Sequence, residues 1–270
     1  IVHAMSLDAV ASNACRLIGP MLGGLLLAQG GLQAVLLCAT LLYLPVLIAL
    51  NGLTDSPPAH AETTKLTIGK LLQRGLHAAR ESRPLQSILW ITILFNLFAW
   101  PVLSMIPVIG RDQLALDAQG VGFLASLDGI GSLLGALTLS YLARRLRHGP
   151  VYLGAVLIFL LLQVAFAWSH HVLLTGAILF VIGVAQAGFA VMQPTLVYSS
   201  VQPDQRLDAM GLMTMCIGVA PVGFLGIGWL AVHIGAPSAA LACAVSGLVV
   251  MALTWPLCRA CFKHSVTDVP

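Results

Sequence analysis

Charge is what this chain has least of. Asp, Glu, Lys and Arg make up 9% of its 270 residues, where soluble domains carry about 25%. A water-facing fold must cover itself with such groups, so a soluble surface over most of the chain is excluded. Chemical motifs are scarce too. There is no HExxH, no Walker loop and no spaced Cys/His set, so neither a metal site nor a cofactor is expected. Serines near apolar faces lack a His and an Asp at comparable depth, which leaves an intramembrane protease without machinery and no catalytic residue to name. The net charge of +3 is too small to imply a nucleic-acid partner. The chain begins with Ile1 rather than Met, and no signal-peptide pattern precedes its first apolar stretch, so a fragment of a longer protein is expected.

What is abundant is apolar surface: 59% of the residues are hydrophobic. A helix needs about 20 mostly apolar residues to cross the hydrocarbon core. Eight stretches qualify, at 9–29, 32–51, 86–109, 120–143, 151–168, 172–199, 209–232 and 236–258. Links as short as Gln29-Gly30-Gly31 and Ser169-His170-His171 join antiparallel neighbours, and no alternating segments suit a β-barrel. The expected fold class is therefore all-α, a polytopic membrane protein with eight transmembrane helices. Five of the six cysteines, Cys15, Cys38, Cys216, Cys243 and Cys258, fall inside these stretches and Cys261 lies just beyond one, which fits packing as small hydrophobes.

Of the thirteen Lys and Arg, eleven follow even-numbered spans: Lys65, Lys70, Arg74, Arg80, Arg83, Arg144, Arg145, Arg147, Arg206, Arg259 and Lys263. Arg111 stands alone on the other side and Arg16 lies within a span. The positive-inside rule then puts both chain ends in the cytoplasm. Trp168, Tyr152 and Tyr141 lie near span ends, where aromatic rings anchor at the interface. Between spans two and three, Asp55-Ser56-Pro57-Pro58 breaks any helix. Beyond it Ile68, Leu71, Leu72, Leu76 and Ala79 repeat at helical spacing opposite Lys70, Arg74, His77 and Glu81. That pattern predicts a helix on the cytoplasmic surface of the lipid bilayer, its basic residues against headgroups.

An internal repeat is visible. Leu7-Asp8-Ala9, Cys15 and Pro20 recur as Leu207-Asp208-Ala209, Cys216 and Pro221, so span one reads as a copy of span seven. Residues 85–262 then form a complete six-helix half, 1–51 the last two helices of another, 52–84 the loop between them and 263–270 a tail. Two such halves joined by a long cytoplasmic loop resemble the major facilitator superfamily, and Gly19-Pro20-Met21-Leu22-Gly23-Gly24 is similar to the end of its fifth-helix antiporter motif. The two earlier glycines of that motif fall at Ser6 and Cys15. Asn13 through Pro20 more closely resembles the branch of the enterobactin exporter and macrolide-efflux-like permeases. Ser140-Tyr141-Leu142-Ala143-Arg144-Arg145-Leu146-Arg147-His148 keeps the charge of the family's loop motif but not its Asp or its glycines. The resemblance implies spans five to twelve of a twelve-helix parent, with the N-terminal four helices missing and the fragment inactive alone. It also implies an exporter of a drug-like or siderophore-like small-molecule substrate in the bacterial inner membrane, coupled to an ion that is expected to be H⁺.

Gly19 and Gly23 are four apart, a spacing that lets helices pack closely in lipid, as are Gly131 and Gly135, while Pro20 permits a bend. With Gly24 these residues are the expected conformational element, which the resemblance ties to sealing the outward side. Arg16 and Asp128 lie inside apolar spans, where a charge costs about 2.5–3.5 kcal/mol on insertion scales and must face protein or water. Asn13 shares a face with Arg16, and Asp128 with Ser132. Arg16 either lines a cavity, pairing with Asp128 or substrate, or forms a plain structural ion pair. Asp128 is also a candidate proton carrier. Gln186 and Gln193 share one face of span six, and Asn96 and Trp100 one face of span three, interrupted by Pro101 and Pro107. These amides and the indole suit either a cavity for an amphipathic organic molecule or interhelical hydrogen bonding. The rival class is a polytopic membrane protein without transport activity, an enzyme or an assembly subunit. The few-residue outer loops disfavour it.

Overall fold

The computed structural model describes residues 2–51, 68–142 and 146–263, and side chains within 14–51, 73–142 and 146–261. The Asp55–Pro58 breaker, Lys65, Arg144 and Arg145 lie outside the described residues, as do the side chains of Asn13, Lys70 and Lys263. All regular structure among the described residues is helical. Seven of its segments are long and apolar enough to cross a membrane. The difference from the eight predicted spans lies at the first two. Helix α1 covers Val2–Asn51 as two helices that meet at a kink, and its apolar part, Ala14–Asn51, covers 38 residues. Gly31 interrupts it with φ 66° and ψ −174°, a conformation that costs glycine little because it has no Cβ.

Helix α2 (Ile68–Glu81) sits where the amphipathic pattern placed it, but its described buried face is Gly75, Ala78 and Ala79, while Leu76 is 43% exposed. It packs on protein: a Cβ at Gly75 would lie 3.0 Å from the Asp208 carbonyl oxygen and 3.2 Å from Leu212 Cβ, both in α8. The Ser82 hydroxyl then accepts from the Leu85 amide and starts α3 (Arg83–Leu94).

The third predicted span is interrupted as its prolines require. After α3 the chain passes through a π turn, Phe95–Ala99, and a 3₁₀ stretch, Trp100–Met105, before α4 (Ile106–Asp112). Pro101 and Pro107 lack the N–H that an α-helix needs at those positions, and wide and tight turns absorb the mismatch. Helices α5 (Ala118–Leu142), α6 (His148–Ala167) and α7 (Val172–Ser199) are long and follow their predicted spans closely. The seventh splits into α8 (Arg206–Ile217) and α9 (Ala220–Ile234), with Pro221 opening the second piece. The eighth is α10 (Ala236–Leu253), followed by the short α11 (Trp255–Cys258).

Helix α5 packs between α1 on one side and α7 on the other. Glycines set the spacing on both sides. A Cβ at Gly24 would come within 2.5 Å of the Ala118 carbonyl oxygen and 2.9 Å of Gly122 Cα, and one at Gly122 would meet the Pro20 carbonyl. Toward α7, a Cβ at Gly131 would run into the Phe180 carbonyl and one at Gly135 would come within 2.9 Å of Val184 Cα. The small-residue contact of α1 is therefore made by Gly24. At Gly19 and Gly23 a Cβ would meet nothing within 4 Å, so neither makes a close helix contact.

Candidate functional site

Two more glycines bring the ionisable residues together. Gly129 presses on the α1 backbone at Arg16, where a Cβ would come within 2.7 Å of the Arg16 carbonyl carbon and of Leu17 Cα. Gly183 of α7 presses on the Asp128 carbonyl of α5. Three helices thus meet backbone to backbone at one depth, with Asp128 eleventh in a 25-residue helix. That depth is about 15 Å from the start of α5, the middle of a membrane crossing.

The side chains close the junction. Arg16 Nη2 donates to Asp128 Oδ2 at 2.8 Å and to Gln186 Oε1 at 2.5 Å. One guanidinium therefore links α1, α5 and α7. Asp128 and Gln186 are buried, at 7% and 6% exposure, whereas the Arg16 side chain keeps 37% of its surface open. The second carboxylate oxygen, Asp128 Oδ1, is buried with no hydrogen-bond partner among the described residues. An ion pair in low dielectric is short and strong when well aligned, and an unfilled carboxylate acceptor beside it is costly.

The other polar residues singled out in the sequence do not join this group. Gln193 Nε2 donates to Thr92 Oγ1 at 2.7 Å, and Asn96 Nδ2 to the Thr92 carbonyl at 2.9 Å. Thr92 is itself 3.0 Å from the Tyr152 hydroxyl, which donates to the Ile88 carbonyl at 3.2 Å. This second network ties α3, α6 and α7 together. It lies against an aromatic stack in which Phe189 sits 3.9 Å from Phe95 and 5.2 Å from Tyr152, centroid to centroid. Tyr152 is fully buried there, which corrects its expected role as an interfacial anchor: its hydroxyl finds protein partners, so it needs no water. Tyr141 and Trp168, by contrast, are exposed, at 89% and 71%. Trp100 meets Phe224 edge-on at 5.6 Å, at the side of α9.

Neither Thr92 nor Tyr152 stood out as a polar hub in the sequence, because each is a single residue in an apolar run. Gly129 and Gly183 were equally silent, since a lone glycine signals nothing without its contact. Among the described residues no three His, Cys, Asp or Glu side chains form a group that could hold a metal ion.

A helical bundle spanning a membrane, with a buried ion pair where three helices touch, is the setting in which likeness to known proteins can be weighed. The profile of the transmembrane secretion effector family, of the major facilitator type, matches residues 1–265. The chain belongs to this family. It is a multi-span membrane transporter rather than an enzyme. No curated protein matches the sequence significantly. Among solved structures the chain resembles an inward-facing, unoccupied bacterial homologue of the human lysosomal transporter Spinster, with a TM-score of 0.59 and 11% identity. The match covers 94% of this chain and 69% of that one. At that identity the likeness is one of fold.

Proposed function

We propose that the chain carries the working core of a secondary active exporter that moves a small organic molecule by alternating access, with H⁺ as the coupling ion. The observation that carries this reading is the Arg16–Asp128–Gln186 junction. It joins α1, the arm bearing the Gly19-Pro20-Met21-Leu22-Gly23-Gly24 motif, to α5 and α7, and in this reading α1 belongs to one bundle of helices and α5 and α7 to the other. In a transporter that rocks two bundles about a midplane site, that is where substrate and coupling ion are read. Asp128 is the proton acceptor in this scheme. Its unpartnered Oδ1 can take a proton, and neutralising the carboxylate weakens its hold on Arg16. In the same reading Gly31 divides α1 into two crossings, residues 85–262 act as one six-helix body, and both ends of the chain face the cytoplasm of a bacterial inner membrane. The basic loops and the similarity to the enterobactin-exporter and macrolide-efflux branch support that orientation and a siderophore-like or drug-like cargo.

The test is proton-driven transport by the protein in everted membrane vesicles, with a panel of hydrophobic organic substrates. Asp128→Asn is expected to abolish uptake driven by a pH gradient while leaving energy-independent exchange of substrate in place. Arg16→Ala is expected to impair both. Full gradient-driven uptake by a normally inserted D128N protein would overturn the assignment.

A further inference from the structure

A second site lies apart from the ion pair. Between α1, α4 and the first turns of α5 is a cavity of about 770 Å³, inside the range of about 300–1,000 Å³ that organic ligands occupy. Its walls are almost wholly apolar. Pro20, Gly23 and Leu27 come from α1, Pro107 from α4, and Val121 and Ala125 from α5, while Leu32 enters from beyond the bend at Gly31. Arg16, Asp128 and Gln186 do not line it. From Ala118 to Ala125 the α5 wall is eight residues long, a depth of about 10 Å.

Two charged residues line the cavity, Arg111 and Asp117, both at the α4–α5 connection. They are not equivalent. The Arg111 Nε donates to Asp112 at 2.8 Å, so its charge is locally matched. Among the described residues Asp117 Oδ1 accepts only the Gly120 amide, at 2.8 Å, where it caps α5. The start of a helix carries about half a positive charge, which offsets half of that carboxylate and no more. The mouth therefore keeps a net negative charge above an apolar chamber.

We propose that this cavity binds lipophilic organic cations, with the apolar body between α1 and α5 and the charge at Asp117. Gly23 gains a role there that helix packing does not give it. Its missing side chain leaves the chamber open, since a Cβ at that position would touch nothing within 4 Å.

The test uses the purified full chain in lipid nanodiscs and radiolabelled tetraphenylphosphonium, with tetraphenylborate as a competitor of the same shape and opposite charge. Binding needs no transport, so its failure is separate from failure of the exporter reading. Saturable binding is expected, weakened about tenfold by Gly23→Leu or Ala125→Leu, which fill the chamber. Asp117→Asn should weaken it by about threefold to tenfold, with Asp117→Glu close to the parent. In an Ala125→Cys chain, alkylation at residue 125, followed by peptide mass spectrometry, should slow in the presence of the cation even if the leucine variants misfold. Equal displacement by tetraphenylborate, unchanged binding in folded G23L and A125L, or unprotected alkylation of A125C would each overturn the site.

Discussion

At Arg16 and Asp128 the two halves of one ion pair sit in unequal surroundings. Arg16 keeps 37% of its side chain exposed, while its partner carboxylate keeps 9%. Removing the arginine strands a buried charge; removing the carboxylate leaves a guanidinium that can turn toward water. Arg16→Ala is therefore expected to cost about 2 kcal/mol, less than the 3–5 of a fully buried pair, and Asp128→Asn under about 1. The double variant should recover most of the R16A loss, measured by thermal unfolding in detergent. Thr92 is the second residue whose partners decide its worth. Thr92→Val removes the acceptor of Gln193 and a partner of Tyr152 and is expected to destabilise by about 1–3 kcal/mol. Sequence alone identified Arg16 and Asp128, because a charge in an apolar run has few tolerable settings. Thr92 was not legible, since a hydroxyl in a helix can bond its own backbone and need no neighbour, as Thr40 does with Leu36.

At the scale of elements, α5 is held by glycine contacts on opposite sides, and its neighbours cannot retreat without opening voids. Gly122→Leu should force α1 away from α5 and destabilise by about 1–3 kcal/mol, or prevent insertion. Gly226→Leu, on an exposed stretch of α9 with nothing within 4 Å of its Cβ, should cost little in the same unfolding assay. Element ends were readable where prolines or short polar links mark them, as at Val172–Ser199. The π and 3₁₀ segments at Phe95–Met105 were foreshadowed by Pro101 and Pro107, but the stacking of Phe95 on Phe189 at the start of that stretch was not. The surface helix was found by its period, yet its buried face turned toward α8, because Gly75 allows backbone approach that a larger residue forbids.

For the whole molecule, the distribution of Lys and Arg and the bundle make one checkable statement about sidedness. Cysteines replacing Arg147 and Asp112 should be labelled by an impermeant maleimide from opposite faces, Arg147→Cys from inside and Asp112→Cys from outside intact cells; labelling from one face would reject the orientation. The sequence by itself determined that the chain lives in lipid, that it is helical, where most crossings fall and which two charges lie inside the apolar spans. Those follow from composition and period, since hydrocarbon tolerates neither exposed backbone nor solitary charge. Only the tertiary structure decided which glycines make contact, that Gln186 joins the ion pair while Gln193 serves Thr92, and that a chamber opens beside Gly23. Those depend on how close helices approach and how they are rotated, which distant residues set together and no local pattern records.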